Sequence, residues 1–208
     1  MPRTNPQLAD TDQKQLLHSH EIQLMIRELV EQQAMPLELI LEDTGVSARS
    51  LENPSLRLTL EQELALYKRI ASLNKDPLLA HKIGVKLGLP NYGILGYAMV
   101  ASSTLRDALQ LMVEFAPLVS WASHSVLTQE VYSGQACLCL TIHPTPSDKL
   151  TSELEVESTF ASLQTVFNEL VAEPVQFARV TYSHPCRLPD SQPYDALFQC
   201  PVDFSESR

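Results

Sequence analysis

Apolar positions in the first half of the chain recur every three to four residues. In the second half they switch to alternation and then back again. Leu17, Ile22, Met25, Ile26, Leu29 and Val30 share one helical stripe. Pro36 opens a short helical segment through Leu37, Leu39, Ile40 and Leu41. Thr59 stands where it can cap a helix whose inner face is Leu60, Leu64, Tyr67, Ile70 and Ala71. Another helix opens at Asp76-Pro77, turns Leu79, Ile83 and Leu87 inward and stops at Gly88, with Pro90 just beyond. Residues 93–100 form an apolar run with two glycines. Ser103 or Thr104 then caps a helix with Leu105, Ala108, Leu109, Met112 and Phe115 on one stripe, limited or kinked by Pro117.

After Trp121 the period drops to two. Residues 126–132 and 135–143 read as strands joined at Ser133-Gly134 in a hairpin, with Leu138, Leu140 and Ile142 on one face. The helical period returns over 149–171, where Leu150, Leu154, Phe160, Leu163, Phe167 and Leu170 form a core face. Glu153, Glu155 and Glu157 in its first half read as a solvated face, which suits the macrodipole near a helix N-terminus. Strands are expected over 175–182 and 196–204, the second broken by Pro201 and therefore at an edge. No βαβ repeat occurs. The expected class is α+β: N-terminal helices followed by a small antiparallel sheet packed against helices. Residues 1–14 read as a disordered leader and 15–208 as one domain.

Composition narrows the partners. Hydrophobic residues at 44% are enough for a core, whereas charged residues at 19% leave much neutral surface. The formal net charge is −10, and the 15 Lys and Arg are scattered. Direct binding to duplex DNA is disfavoured, because phosphates are neutralised by clustered basic side chains. No apolar run is long enough for a transmembrane helix, and no signal-peptide core is present, so a cytoplasmic protein without membrane contact is expected. Cys137 and Cys139 fall on one face of a strand, and with Cys186 and Cys200 they form neither a zinc spacing nor a disulfide framework. His18 and His20 do not face each other on a helix. No metal and no cofactor is expected.

Four stretches in order resemble the N-terminal arabinose-binding-type domain of AraC/XylS transcription regulators. They are Asp76-Pro77-Leu78-Leu79-Ala80-His81-Lys82-Ile83-Gly84; Gly93-Ile94-Leu95-Gly96-Tyr97-Ala98-Met99 with Ser102-Ser103-Thr104-Leu105-Arg106-Asp107-Ala108-Leu109; His184-Pro185 with Tyr194; and Phe198-Gln199-Cys200-Pro201-Val202-Asp203-Phe204. These motifs read as fold determinants. Gly93 and Gly96 offer either a flat helical patch or a turn with positive φ, and Asp107 can reach back to Thr104 in a variant capping box. The resemblance implies a small-molecule effector, DNA binding only through a C-terminal helix-turn-helix domain that this chain lacks, and homodimerisation as a possibility. Residues 39–51 imitate a helix-turn-helix, but Glu38, Glu42, Asp43 and Glu52 outnumber Arg49 and Arg57 around them, against a DNA-contacting role.

No nucleophile elbow, phosphate loop, dinucleotide fingerprint or zinc-protease motif is present, so no catalytic residue is assigned and no enzyme is expected. An effector pocket is expected between the helix of residues 104–116 and the sheet, with Tyr97, Met99, Phe115 and Trp121 as walls and Phe160 and Gln164 closing it. The alternative is a dimerisation or partner-docking module that binds no small molecule.

Overall fold

The computed structural model describes residues 17–18, 20–53, 56–116, 123–144, 148–173 and 175–205. The expected leader, residues 1–14, lies outside them. Helices α1 (His20–Gln33), α2 (Leu37–Leu41), α3 (Ala48–Leu51), α4 (Leu60–Leu73) and α5 (Leu79–Gly84) come first. The short strands β1 (Leu17–His18) and β2 (Arg57–Leu58) pair antiparallel among them. Thr59 caps α4 in a full capping box with Gln62, as its position predicts. Buried Leu79, Ile83 and Leu87 are the inward positions expected for α5 and its C-terminal turn.

A 3-10 turn (Leu89–Tyr92) leads into α6 (Gly93–Val100) and α7 (Leu105–Phe115). Both readings of the glycines hold. Gly93 takes a positive φ of 53° at the turn, and Gly96 packs so tightly on the Leu89 carbonyl that a Cβ would collide with it. Thr104 accepts the Asp107 amide at 3.1 Å and donates its hydroxyl to the Asp107 carboxylate at 2.7 Å. The hairpin of β3 (Ser123–Tyr132) and β4 (Gln135–Pro144) keeps one register from Ser123↔Pro144 to Tyr132↔Gln135. Ser133 and Gly134 turn it with positive φ at both positions, the geometry that matches strand twist.

The long helix α8 (Lys149–Leu170) joins three clusters of apolar side chains. Leu154 packs with α1, α4 and α5 through Met25, Leu29, Leu66, Ile70 and Ile83. Leu163, Val166 and Phe167 pack with Leu95, Met99, Leu109 and Met112 of α6 and α7, over Leu127, Leu138, Leu140 and Ile142 of the hairpin. Val156 and Phe160 meet the C-terminal unit of β5 (Val180–Tyr182), α9 (Gln192–Phe198) and β6 (Val202–Phe204). Gly84 sets how near α5 comes to α8, since a Cβ there would lie 2.6 Å from the Ala161 Cβ and closer still to the Ser158 carbonyl.

The α+β class is as expected, but the C-terminal elements differ from the sequence reading. Of the strand expected over 175–182, only Val180–Tyr182 pairs. Of that expected over 196–204, the first residues belong to α9 and only Val202–Phe204 is a strand, paired parallel to β5. Pro193 in the first turn of α9 favours helix, and Tyr194 and Phe198 point to one core side at i, i+4 spacing. Gln199 then ends the helix in the left-handed region at φ 53°. The Asp195 carboxylate accepts the Val202 amide at 2.8 Å, locking helix to strand.

Candidate functional site

A carboxyl group is buried only where it is neutralised or its oxygens find partners. Glu153, Glu155 and Glu157 on α8 are all buried, and Glu157 is wholly inaccessible. This corrects the expectation of a solvated face. The helix is enclosed by three clusters rather than one, so its first half has little face left for water.

Glu157 lies between two histidines. His81 of α5 brings Nδ1 to 3.4 Å from one carboxyl oxygen, and His184, just after β5, brings Nε2 to 3.4 Å from the other. His81 Nε2 is 3.1 Å from the Tyr182 hydroxyl, and His184 Nδ1 is 3.1 Å from the Pro185 carbonyl. The Tyr194 ring stands edge-on to His81 with centroids 4.7 Å apart. Nearby, Arg187 donates to Glu153 at 2.5 Å.

Burial is the main electrostatic influence. It pushes Glu157 up to about 8, with Arg187 opposing and Glu153 adding to the rise. It pulls His81 down to about 3, helped by His184 and Arg187, and also lowers His184. At neutral pH the centre is therefore a carboxylic acid between two uncharged imidazoles. A carbonyl can only accept, so His184 holds its proton on Nδ1 and turns a lone pair toward Glu157. One proton assignment then fits the whole chain. The Tyr182 hydroxyl donates to His81 Nε2, His81 Nδ1–H points at Glu157, the Glu157 O–H points at His184, and His184 Nδ1–H donates to Pro185.

The two contacts at 3.4 Å are poorly directed. Both Glu157 oxygens, His81 Nδ1, His184 Nε2 and the Tyr194 hydroxyl make no hydrogen bond with any described residue. Buried polar atoms short of partners, with shifted protonation, mark functional sites. They do not form a metal centre of the usual kind. The histidines approach opposite oxygens of Glu157, and among the described residues no three His, Cys, Asp or Glu side chains are grouped as ligands would be.

Two serines of α8 do find partners. Ser158 donates to Glu21 at 2.5 Å, and Tyr67 also hydrogen-bonds this carboxyl, whose proton affinity burial raises. Ser162 donates to the Leu87 carbonyl at 2.8 Å. A separate open groove of about 500 Å³ lies on the outer side of α1, lined among others by His20, Gln23, Arg27, Leu51 and Glu52.

Of the residues expected to line a pocket, Phe160 and Gln164 continue the α8 stripe begun by Glu153 and Glu157, at i, i+4, i+7 and i+11. The Phe160 ring lies 5.3 Å from that of Tyr182, and the buried Gln164 carbonyl oxygen has no hydrogen-bond partner among the described residues. Met99 is buried in the α6–α7 cluster, Phe115 is partly exposed at the end of α7, and Tyr97 faces outward. Those three are not brought to the polar centre. Trp121 lies outside the described residues. Sequence reasoning missed His81, Glu157, His184 and Tyr194. Yet His81 sits in the first resembling stretch, His184 and Tyr194 in the third, and Phe198 and Cys200 of the fourth pack beside them. Motifs read as separate fold determinants converge on one place.

Residues 35–208 match the family model of the arabinose-binding domain of AraC transcription regulators, N-terminal, and the chain belongs to that family. A curated relative is the ornithine utilization regulator of Pseudomonas aeruginosa, 26% identical over 158 residues, or 76% of this chain and 45% of that protein. The chain thus spans less than half the length of this relative. Helix α1 precedes the matched segment, yet Ile22, Met25 and Leu29 are fully buried in the first cluster. Among the described residues, no helix is long and apolar enough to cross a membrane.

Proposed function

We infer that the chain is the effector-sensing part of an AraC-type regulator. It works in the cytoplasm, forms a homodimer, and controls a DNA-binding domain that follows it in the full-length protein. The observation carrying this reading is the polar centre, where buried donors and acceptors from α5, α8 and the C-terminal unit meet without completing their hydrogen bonds. A small polar metabolite that supplies the missing partners has differential affinity for the paired and unpaired arrangements, as control of an attached domain requires. Glu157, His81, His184 and Tyr194 would contact its polar groups, with Phe160 and Gln164 flanking it. The relative named for ornithine utilization makes amino acids the first class to test.

The test is thermal melting against a panel of amino acids, ornithine included. A ligand bound only by the native state stabilises by about 2.7 kcal/mol at a hundredfold excess over its Kd. Glu157→Gln and Gln164→Ala should each reduce that shift. A shift that survives both substitutions places the effector elsewhere, and the open groove beside α1 becomes the next candidate. The chain alone should not retard duplex DNA at physiological salt, given its net charge of −10.

A further inference from the structure

The unpaired atoms of the α8 stripe are not balanced between donors and acceptors. Among the described residues, the acceptors are both Glu157 oxygens, one Glu153 oxygen, the Gln164 carbonyl oxygen and the lone pair of His184 Nε2. Lys149 comes no nearer to that Glu153 oxygen than 3.8 Å. Against them stand the His81 Nδ1–H, the Tyr194 hydroxyl and the proton of Glu157 itself. The His184 lone pair can take one hydrogen. The Glu157 O–H points at it over 3.4 Å, and an N–H from a ligand would need the same place.

We propose that the ligand of this centre is a small organic cation, an ammonium or guanidinium group, which displaces the Glu157 proton to solvent and pairs with the carboxylate left behind. As the effector of the sensor proposed above, on which this assignment depends, it brings N–H donors to a place with surplus acceptors. One N–H donates to the carboxylate and another to His184 Nε2, while His81 Nδ1–H stays on Glu157. A proton leaves as a positive charge arrives, so no charge is buried unpaired.

The groups that face Glu157 suit this exchange. They are His81 from α5, Tyr182 from β5, His184 and Arg187 after β5, Tyr194 from α9 and Glu153 from its own helix. Glu21 of α1 and Tyr67 of α4 reach the neighbouring position, at Ser158. Burial keeps both imidazoles uncharged at neutral pH, so neither repels a cation. Arg187 is already held by Glu153. Burial also keeps the proton on Glu157 up to about 8, so it is there to be displaced. An anion would meet Glu153 and too few donors. A metal ion on one Glu157 oxygen would reach only one imidazole. The rings of Tyr182, Tyr194 and Phe198 stand around His81 at 6.1, 4.7 and 6.0 Å, surroundings that favour an organic cation over a hydrated ion.

The probes are methylammonium, guanidinium and putrescine chlorides at millimolar concentration, with sodium acetate and glucose as controls at matched ionic strength. Titration calorimetry of the 208-residue chain in two buffers of different ionisation heat counts the protons released. At about pH 7 a bound cation should release close to one proton. Its affinity should rise about tenfold from about pH 6 to about pH 7 and level off above about pH 8. Glu157→Gln, checked by its melting transition, should weaken binding at least about tenfold near pH 8 and flatten the pH dependence. Should that variant not fold, the proton count of the wild type decides alone. Cation binding without proton release, or an affinity that falls as pH rises, would overturn the proposal. Acetate or glucose bound instead of the cations would overturn it while leaving the sensor reading intact. Failure of every probe, and of the amino acids above, would overturn both.

Discussion

Helices α6 and α8 are inverted relative to each other. α8 buries glutamates, serines and a glutamine inside the domain, whereas α6 turns isoleucine, tyrosine and valine out of it. Stripe arguments assume that a helix has one core and one solvent side. Neither helix meets that condition. α8 is surrounded, so its polar residues must be satisfied inside. α6 is covered on one side only, although its composition suits cover on both. Each helix is left incomplete in its own way: unfinished hydrogen bonds in one case, unfinished packing in the other.

The sharpest way to break this contrast is to push α8 off its neighbours. Gly84→Ala places a methyl against the Ala161 side chain and the Ser158 carbonyl, and we expect destabilisation of about 3 kcal/mol by denaturant unfolding. A loss below about 1 kcal/mol would show that α5 and α8 can separate freely, and that the polar centre is looser than its distances imply.

Next comes the centre itself. Glu157→Ala leaves both histidines facing a gap and should remove about 2–3 kcal/mol, whereas Glu157→Gln keeps a donor and an acceptor in place and should lose less than about 1 kcal/mol. Equal effects from the two substitutions would mean that volume, not hydrogen bonding, holds the site.

Protonation offers a third handle. Glu157 is raised on folding from 4.5 to about 8, so the stability linked to its proton is complete below pH 4.5 and is lost as pH rises toward 8. His81 is lowered from 6.5 to about 3, so its contribution is present above pH 6.5 and is lost as pH falls toward 3. Between pH 4.5 and 6.5 the two slopes oppose each other. From pH 6.5 to 8 Glu157 acts without that opposition, and stability should fall by about 1.4 kcal/mol per pH unit. Glu21, also raised by burial, acts in the same direction. Unfolding measured across this interval should show the fall in the wild type and a shallower one in Glu157→Gln. Matching slopes would remove Glu157 from the account.

The smallest effect is expected on the outside. Tyr97→Ala should change the stability of the isolated chain by less than about 0.5 kcal/mol, because little of the ring is buried within it. A larger loss would mean that the α6 face is already packed within one copy.

Local signals were legible wherever the cause is local. Thr59 and Thr104 cap their helices, Ser133-Gly134 turns the hairpin, and α8 runs from Lys149 as its periodicity predicts, because caps, turns and periods depend on residues a few positions apart. The C-terminal segment misled because 196–198 combine apolar and helix-compatible residues, and only packing of Tyr194 and Phe198 around His81 settles them as helix. At the site, the α8 positions Phe160 and Gln164 could be picked out because they fall on a helical stripe. His81, His184 and Tyr194 could not be grouped, since 103 positions separate the two histidines that meet at Glu157.

The sequence by itself determined the family, through four short stretches in order, and most of the secondary structure, through capping, turn chemistry and the spacing of apolar residues. The tertiary structure decided which faces are inside. It made Glu157 an interior acid by enclosing α8 on all sides, and made Ile94 and Tyr97 surface residues by covering α6 on one side only. Burial is set by what the rest of the chain places against a helix. Hydrophobicity along that helix records a preference, which three-dimensional packing can override.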